Sequence, residues 1–215
     1  MAESSLPVRT AADFADRDVH RHGPVIGVVL AAGGSTRFGD ENKLLTEIAG
    51  RPMIDRSLDA FVESDLDGVI LVVGNDAGAV RNAVGDRPTQ IIENTRWDEG
   101  QSTSVITGLE AASNEGAMAI IFGLGDMPWV RPSTTDRLIE AFQRSDAHAI
   151  AAAFRGVRGN PVLFTEATFD SLRDISGDQG GRDVLLQANE AFAIETGDPG
   201  VRRDVDRITD LPERS

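Results

Sequence analysis

Four short runs of apolar residues, rich in Val and Ile, constrain the fold more than any other feature of the chain. They are "VIGVVLA" (25–31), "GVILVVG" (68–74), "TQIIEN" (89–94) and "AMAIIFGLG" (117–125). Short continuous runs of this kind read as strands covered on both faces. Helical stretches lie between them: "PMIDRSLDAFVES" (52–64), "AGAVRNAVG" (77–85) and "STSVITGLEAAS" (102–113). After the fourth run, "RPSTTDRLIEAFQRS" (131–145) is a further helix with Pro132 in its first turn. Strands alternating with helices require parallel crossovers, so the expected class is α/β: a three-layer α/β/α, Rossmann-like sandwich around a mostly parallel sheet.

The second half is less regular. "AHAIAAAF" (147–154) and "NPVLFT" (160–165) pair as a hairpin across "RGVRG", which makes an antiparallel insertion in the sheet. A helix pair from Glu166 to Asn189 surrounds the loop "SGDQGG", and a last strand "AFAIET" (191–196) leads into "RRDVDRITDL". With 215 residues and 40% apolar content, the chain carries one core rather than two. The expected division is a polar N-terminal tail over 1–23 and a single domain over 24–215. The first 23 residues have no apolar core of the kind a signal peptide needs, and no apolar run reaches the roughly 20 residues that span a bilayer. The expectation is therefore a cytoplasmic protein.

Composition excludes several functions. The 35 acidic against 21 basic residues give a net charge of −14, which disfavours nonspecific nucleic-acid binding and a polybasic membrane contact. With no cysteine there is neither a disulfide framework nor a thiolate site. His20, His22 and His148 are too few and too scattered along the chain for a zinc cluster, and read as solvated residues. Lys43 is the only lysine; the other basic residues are arginines. This acid-rich, lysine-poor composition suggests a halophilic, salt-rich cytoplasm that screens carboxylate repulsion. Stability that rises with KCl is the expected signature, and indifference to salt contradicts it.

In parallel sheets, ligands bind beyond the carboxyl ends of the strands. Three such ends carry polar, turn-prone sequence: "GGSTRFGDENK" after the first run, "NTRWDEGQSTS" after the third and "GDMP" after the fourth. Gly33, Gly34 and Gly39 let successive N–H groups converge on an anion, and Arg37 and Lys43 add charge. The loop is no P-loop, because Asp40 and Glu41 stand where Lys and Ser/Thr are needed after G-x-x-x-x-G. Nor is it G-x-G-x-x-G, which counts against a dinucleotide-dependent oxidoreductase.

The order of strand, "LAAGGSTRFG" and "NKLL" resembles the signature of the nucleotidyltransferases related to the molybdenum cofactor cytidylyl- and guanylyltransferases, the MobA/MocA-like family. Leu30, Ala31, Ala32, Gly33, Ser35, Arg37, Gly39 and Lys43 carry it. "NTRWDEGQSTSVITGL" resembles the family's N-x-x-W-x-x-G-x-x-x-S-x-x-x-G-L through Asn94, Trp97, Gly100, Ser104, Gly108 and Leu109. "GDMP" (125–128) resembles its metal-binding turn, "RGNPVLF" (158–164) its G-[HN]-P-V segment, and "GDQGGR" (177–182) also has a counterpart. "RRDVDRITDL" resembles D-x-D-T-P-E-D-L, with Arg207 and Ile208 in place of Thr-Pro.

The resemblance implies a Mg²⁺-dependent nucleotidyltransferase. A phosphate oxygen of an acceptor attacks the α-phosphorus of a nucleoside triphosphate and pyrophosphate leaves. Lys43 and Arg37 are the implied catalytic cations. Leu30, Ala31, Ala32, Gly33, Gly34, Ser35, Gly39, Asn94, Gly100, Ser104 and Gly125 are the implied nucleotide site. Asp126 and Asp206 are the implied Mg²⁺ ligands, with Asp204 left open as an alternative to Asp206 because the two alternate along an extended segment and point the same way. Asn160, Asp178 and Arg182 are candidates for the acceptor side. "LAAG" resembles the cytidylyl more than the guanylyl branch, so CTP is preferred to GTP. The acceptor implied is molybdopterin or its molybdenum-loaded form, with a molybdoenzyme or its chaperone downstream.

Each of these residues also has a plainer reading. One of Ser102, Thr103 and Ser104 can cap the helix that follows Gly100. Trp97 can be a packed loop anchor. Asn160 can be an ordinary turn residue. Other acceptors on the same scaffold, namely sugar phosphates, isoprenoid precursors or phospholactate, stay open, as does a noncatalytic protein that binds nucleotide or delivers cofactor.

Overall fold

The computed structural model describes residues 6–34 and 42–211. Ser35, Arg37 and Gly39 lie outside the described residues. In chain order the elements are β1 (Val8–Arg9), β2 (Val25–Ala31), β3 (Glu47–Ile48), β4 (Arg51–Pro52), α1 (Met53–Val62), β5 (Gly68–Val73), α2 (Ala77–Val84), β6 (Gln90–Glu93), α3 (Gln101–Asn114), β7 (Ala119–Leu124), α4 (Pro132–Gln143), β8 (Ala149–Phe154), β9 (Val157–Thr165), α5 (Phe169–Arg173), α6 (Arg182–Gln187) and β10 (Phe192–Glu195).

Eight strands form one sheet in the order β1-β10-β8-β9-β7-β2-β5-β6, and β3 and β4 form a separate small pair. Every neighbour pair in the large sheet is parallel except those of β9, which runs antiparallel to both β7 and β8. The four apolar runs are β2, β5, β6 and β7; β2, β5 and β7 are continuous in hydrophobicity because helices cover both faces, whereas β6 lies at the sheet edge with Gln90 and Glu93 exposed, contrary to the expectation of burial on both sides. Along β2, Val25, Val29 and Ala31 face a core that includes Met53, Ile54, Leu58 and Phe61 of α1 and Leu138 and Phe142 of α4. Ile26 and Val28 face the opposite core, with Val105 and Leu109 of α3 and Leu172 of α5. Pro132 opens α4, as expected from the sequence.

Two expectations need correction. The first concerns residues 1–23: over its described part, this segment is part of the sheet rather than a tail. Val8 and Arg9 pair in parallel with Ala193 and Ile194. Phe14 is 1% exposed and stacks on Phe192 at 5.3 Å between centroids. Arg9 and Arg17 lie against the same ring, which accounts for a charged segment that docks through one aromatic. The second concerns the hairpin, which turns on two residues, Arg155 and Gly156, rather than on "RGVRG". Both have positive φ, 51° and 77°, the twist a two-residue hairpin turn requires. The released residues Val157, Arg158 and Gly159 extend β9.

The chain passes outward from β2 to β5 and β6, then returns through α3 to β7 on the other side of β2. The strand order therefore reverses between β2 and β7, and the crevice beyond their carboxyl ends is where such a sheet can admit a ligand.

Candidate functional site

That crevice holds a cavity of about 520 Å³ whose lining includes Leu30, Ala31, Ala32, Gly33 and Gly34 at the end of β2, and Leu124 and Asp126 at the end of β7. Lys43, Trp97, Gly100, Gln101, Ser104, Asp178 and Asp206 complete its polar and aromatic sides. Parts of five sequence-distant segments thus converge on one space.

Its centre is a cluster of one ammonium and two carboxylates. Lys43 Nζ donates to Asp126 Oδ2 at 2.6 Å and to the Val205 carbonyl at 3.0 Å, and Asp206 Oδ1 lies 3.5 Å away. The lysine is held from below. Asn42 is buried and its side-chain oxygen accepts the Leu44 N–H at 3.1 Å, which caps the single 3-10 turn Lys43–Leu45. Leu44 fixes that turn in the core. Asp126 follows Gly125, whose N–H donates to the Leu30 carbonyl at 2.9 Å and whose carbonyl accepts the Ser57 hydroxyl at 2.8 Å. The last segment joins the same point, because Val205 donates its N–H to the Asp126 carbonyl at 3.0 Å.

Burial pushes the Asp126 carboxyl above its usual range; Lys43 acts against that rise and Asp204 adds to it. The second oxygen, Asp126 Oδ1, is buried and has no hydrogen-bond partner among the described residues. A carboxylate oxygen is rarely left so, and its want of a partner fits a cation that arrives with a ligand. Mg²⁺ commonly takes one or two protein carboxylates plus phosphate oxygens and water. Asp126 and Asp206 fit that oxygen-only donor set. Among the described residues no group of three or more acidic or imidazole side chains is placed to hold a metal without such a ligand.

Of the implied nucleotide site, Leu30 to Gly34, Gly100 and Ser104 line the cavity, whereas Asn94 and Gly125 are not among its lining residues. Asn94 is buried behind the cavity. Its amide donates to Thr103 Oγ1 at 2.8 Å and Ser104 Oγ at 3.0 Å, and its oxygen accepts the Arg96 N–H at 2.9 Å. It therefore orients the start of α3 rather than facing a ligand. Gly125 is a packing residue, wedged where a side chain would strike Ile54 and Ala31. Asp206 lines the cavity and Asp204 does not, which favours Asp206 over its neighbour as the second carboxylate.

The hydroxyls after Gly100 do not cap α3. The N-cap is Gly100 itself, at φ 114°, pressed against the carbonyl of Gly177. That carbonyl accepts the Ser102 N–H at 3.0 Å, so the "SGDQGG" loop is laid across the helix start. Trp97 both packs and lines: it crowds against Gly74 together with Ala32, and one side faces the cavity.

A second cavity of about 660 Å³ adjoins the first and shares Leu30, Gln101, Leu124 and Asp178 with it. Its floor is apolar, from Val105, Phe122, Val162, Phe164 and Leu185, and Arg158, Asn160 and Arg182 are among its polar residues. All three acceptor-side candidates, Asn160, Asp178 and Arg182, therefore border one space. Gln101 and Arg158 were not singled out from the sequence. Gln101 directly follows the motif glycine, and Arg158 lies inside the "RGNPVLF" segment, so position alone was the available signal.

His20, His22 and His148, far apart in sequence, border one cavity of about 270 Å³ with Glu166, near the amino ends of β7 and β8 and thus at the opposite rim of the sheet; His20 and His22 are exposed, and among the described residues the three form no group placed to hold a metal.

Fold and site together define a nucleotidyltransferase-type α/β domain. Residues 27–191 match the model of the MobA-like NTP transferase domain, and the chain belongs to that family. It is 30% identical over 192 residues to the purine catabolism protein PucB of Bacillus subtilis, covering 85% of this chain and 91% of that one. It is 26% identical over 196 residues to nicotine blue oxidoreductase of Paenarthrobacter nicotinovorans, covering 87% and 94%. The crystal structure of Rv0371c from Mycobacterium tuberculosis superposes with a TM-score of 0.77 at 28% identity, covering 88% of this chain and 96% of that one. Rv0371c has also been solved as a complex with manganese, with a TM-score of 0.68 to this chain, 27% identity and coverage of 87% and 96%. No helix among the described residues is long and apolar enough to cross a membrane.

Proposed function

We propose that this nucleotidyltransferase transfers CMP from CTP to the phosphate of molybdopterin or its molybdenum-loaded form, with Mg²⁺ as its metal. The observation that carries the reading is the meeting of Lys43, Asp126 and Asp206 at the switch point, with a buried Asp126 oxygen that has no hydrogen-bond partner among the described residues. An acceptor phosphate oxygen forms a bond to the α-phosphorus. The bond from that phosphorus to the bridging β-phosphate oxygen breaks, and pyrophosphate carries away the electron pair.

The chain's part in this is positioning and charge placement. The backbone of Ala32 to Gly34 and, by motif, Ser35, Arg37 and Gly39 cradle the triphosphate. Lys43 turns from the carboxylates to the phosphates as negative charge moves toward the leaving group. Asp126 and Asp206 would hold Mg²⁺, which would supply positive charge against the phosphates. The second cavity takes the acceptor: Asn160, Asp178 and Arg182 offer hydrogen-bonding groups of both kinds above an apolar floor, which suits a flat heterocycle.

The preference for CTP rests on the resemblance of "LAAG" to the cytidylyl branch. Two readings compete on the acceptor side of the same chemistry: another phosphorylated acceptor, and delivery of a bound cofactor without turnover. A reading from a different class, oxidoreduction, is favoured by one observation, the likeness to nicotine blue oxidoreductase over most of both chains. A screen of pyrophosphate release from each of the four nucleoside triphosphates, with and without molybdopterin and with Mg²⁺ or Mn²⁺, tests the proposal. Release that needs CTP and molybdopterin together is expected. No release with any triphosphate, alongside NADH or NADPH oxidation, overturns it in favour of oxidoreduction.

A further inference from the structure

Asp206 is the exposed member of the carboxylate pair, its side chain half open to solvent. Backbone bonds on both sides set its place. On one side Val205 is fully buried and tied to the Asp126 carbonyl. On the other, a single oxygen of Asp210, Oδ2, accepts two N–H groups, that of Asp206 at 3.0 Å and that of Arg207 at 2.7 Å. The Asp210 N–H in turn donates to the Arg207 carbonyl at 3.0 Å, closing the 3-10 turn Ile208–Asp210.

This is half of a capping box. In the full device, the third residue of a turn reaches back to the N–H of the residue that opens it, and a Ser or Thr at the opening position returns a bond to the third residue's N–H. Asp210 supplies the first bond. Arg207 has no short hydroxyl to supply the second.

We propose that Asp210 is a positioning residue that holds Asp206 toward Lys43 and Asp126, and that in this chain it does alone what a reciprocal pair would share. The inference rests on the reading of Asp206 as an active-site carboxylate. Its two bonds lie at the surface, so removing them leaves the core untouched and frees only the segment that carries Asp206.

Two measurements on the full chain test it. Amide hydrogen exchange at Asp206 and Arg207 reports the clamp itself, and Mn²⁺ affinity, read by electron paramagnetic resonance alone and with CTP or GTP, reports the site. Asp210→Ala should speed exchange at those two amides and weaken Mn²⁺ binding about tenfold, the scale for losing a group that orients a metal ligand. Its melting temperature should stay close to wild type. Asp210→Glu should restore part of the affinity, and Arg207→Thr, which completes the box, should slow exchange and tighten binding.

Faster exchange in Asp210→Ala with unchanged Mn²⁺ affinity, while Asp206→Ala weakens it, overturns the positioning role and leaves the reading of Asp206 standing. Unchanged affinity in Asp206→Ala as well overturns both, because there is then no ligand to position.

Discussion

Lys43 and Asp126, 83 residues apart in the chain, meet with Nζ and Oδ2 at 2.6 Å. Their side chains are only 16% and 18% exposed, so the pair sits largely out of water, where charge interactions are strong and unpaired charge is costly. Asp206, nearer the C terminus, shares the same ammonium. The lysine thus stands between two carboxylates of the kind that suit a metal ion. Binding of a metal with its triphosphate would pull the lysine toward phosphate.

Lys43→Ala should lower turnover at least ~100-fold with the fold intact, the loss expected when one oriented charge stabiliser leaves a sheltered site. Lys43→Arg is the sharper test. The chain uses arginine at every other basic position, and a compact ammonium reaches one phosphate oxygen where a planar fork demands two. Steady-state pyrophosphate release should fall for Lys43→Arg too. Activity equal to wild type would mean that any cation serves.

Asp126 also carries a pH signature. Burial raises its folded-state pKa above the unfolded value near 4, so between the two the folded protein binds the extra proton. Stability contributed by this group is therefore greatest at low pH and declines as pH rises through that window. Asp126→Asn, which does not titrate, should flatten that part of the profile when urea unfolding is followed from about pH 4 upward. An identical slope in variant and wild type would rule out Asp126 as its source.

The N-terminal segment has a measurable weight. Phe14→Ala removes a buried ring stacked on Phe192 and should cost about 3–4 kcal/mol in urea unfolding. Free energy within about 0.5 kcal/mol of wild type, the scale of an ordinary surface substitution, would mean that the segment does not dock in solution.

The central strands were legible because burial on both faces writes itself into a sequence as uninterrupted apolar runs: "VIGVVLA" is β2, residue for residue. Strand partners were less so. The β8–β9 hairpin is local, but nothing local says that β9 also pairs with β7, since that pairing joins residues such as Ile120 and Phe164. Strand β1 is two residues long, too short for any periodicity; its one local trace is the T-x-x-D spacing of Thr10 and Asp13 ahead of Phe14, where Asp13 Oδ2 accepts the Thr10 N–H at 2.6 Å. The small β3–β4 pair turns on Ala49 and Gly50, both at positive φ, and only the glycine signals it.

At the site, residue types with one chemical use were legible and those with several were not. Lys43 and Asp126 stood out because a single lysine and a strand-end aspartate have few reasons to be there. By resemblance Asn94 belongs to the nucleotide site, yet an asparagine serves equally well behind the wall, where it braces Thr103 and Ser104. The histidines, distant in sequence, were gathered by β8 and the N-terminal segment, a tertiary effect without local trace.

The most direct measurement is metal-dependent pyrophosphate release from CTP in the presence of molybdopterin, run side by side on wild type, Lys43→Ala and Asp126→Asn. The expected result is release by wild type that stops when the divalent metal is chelated, a fall of at least ~100-fold in Lys43→Ala and no metal-dependent release in Asp126→Asn. Equal release by all three proteins would contradict it.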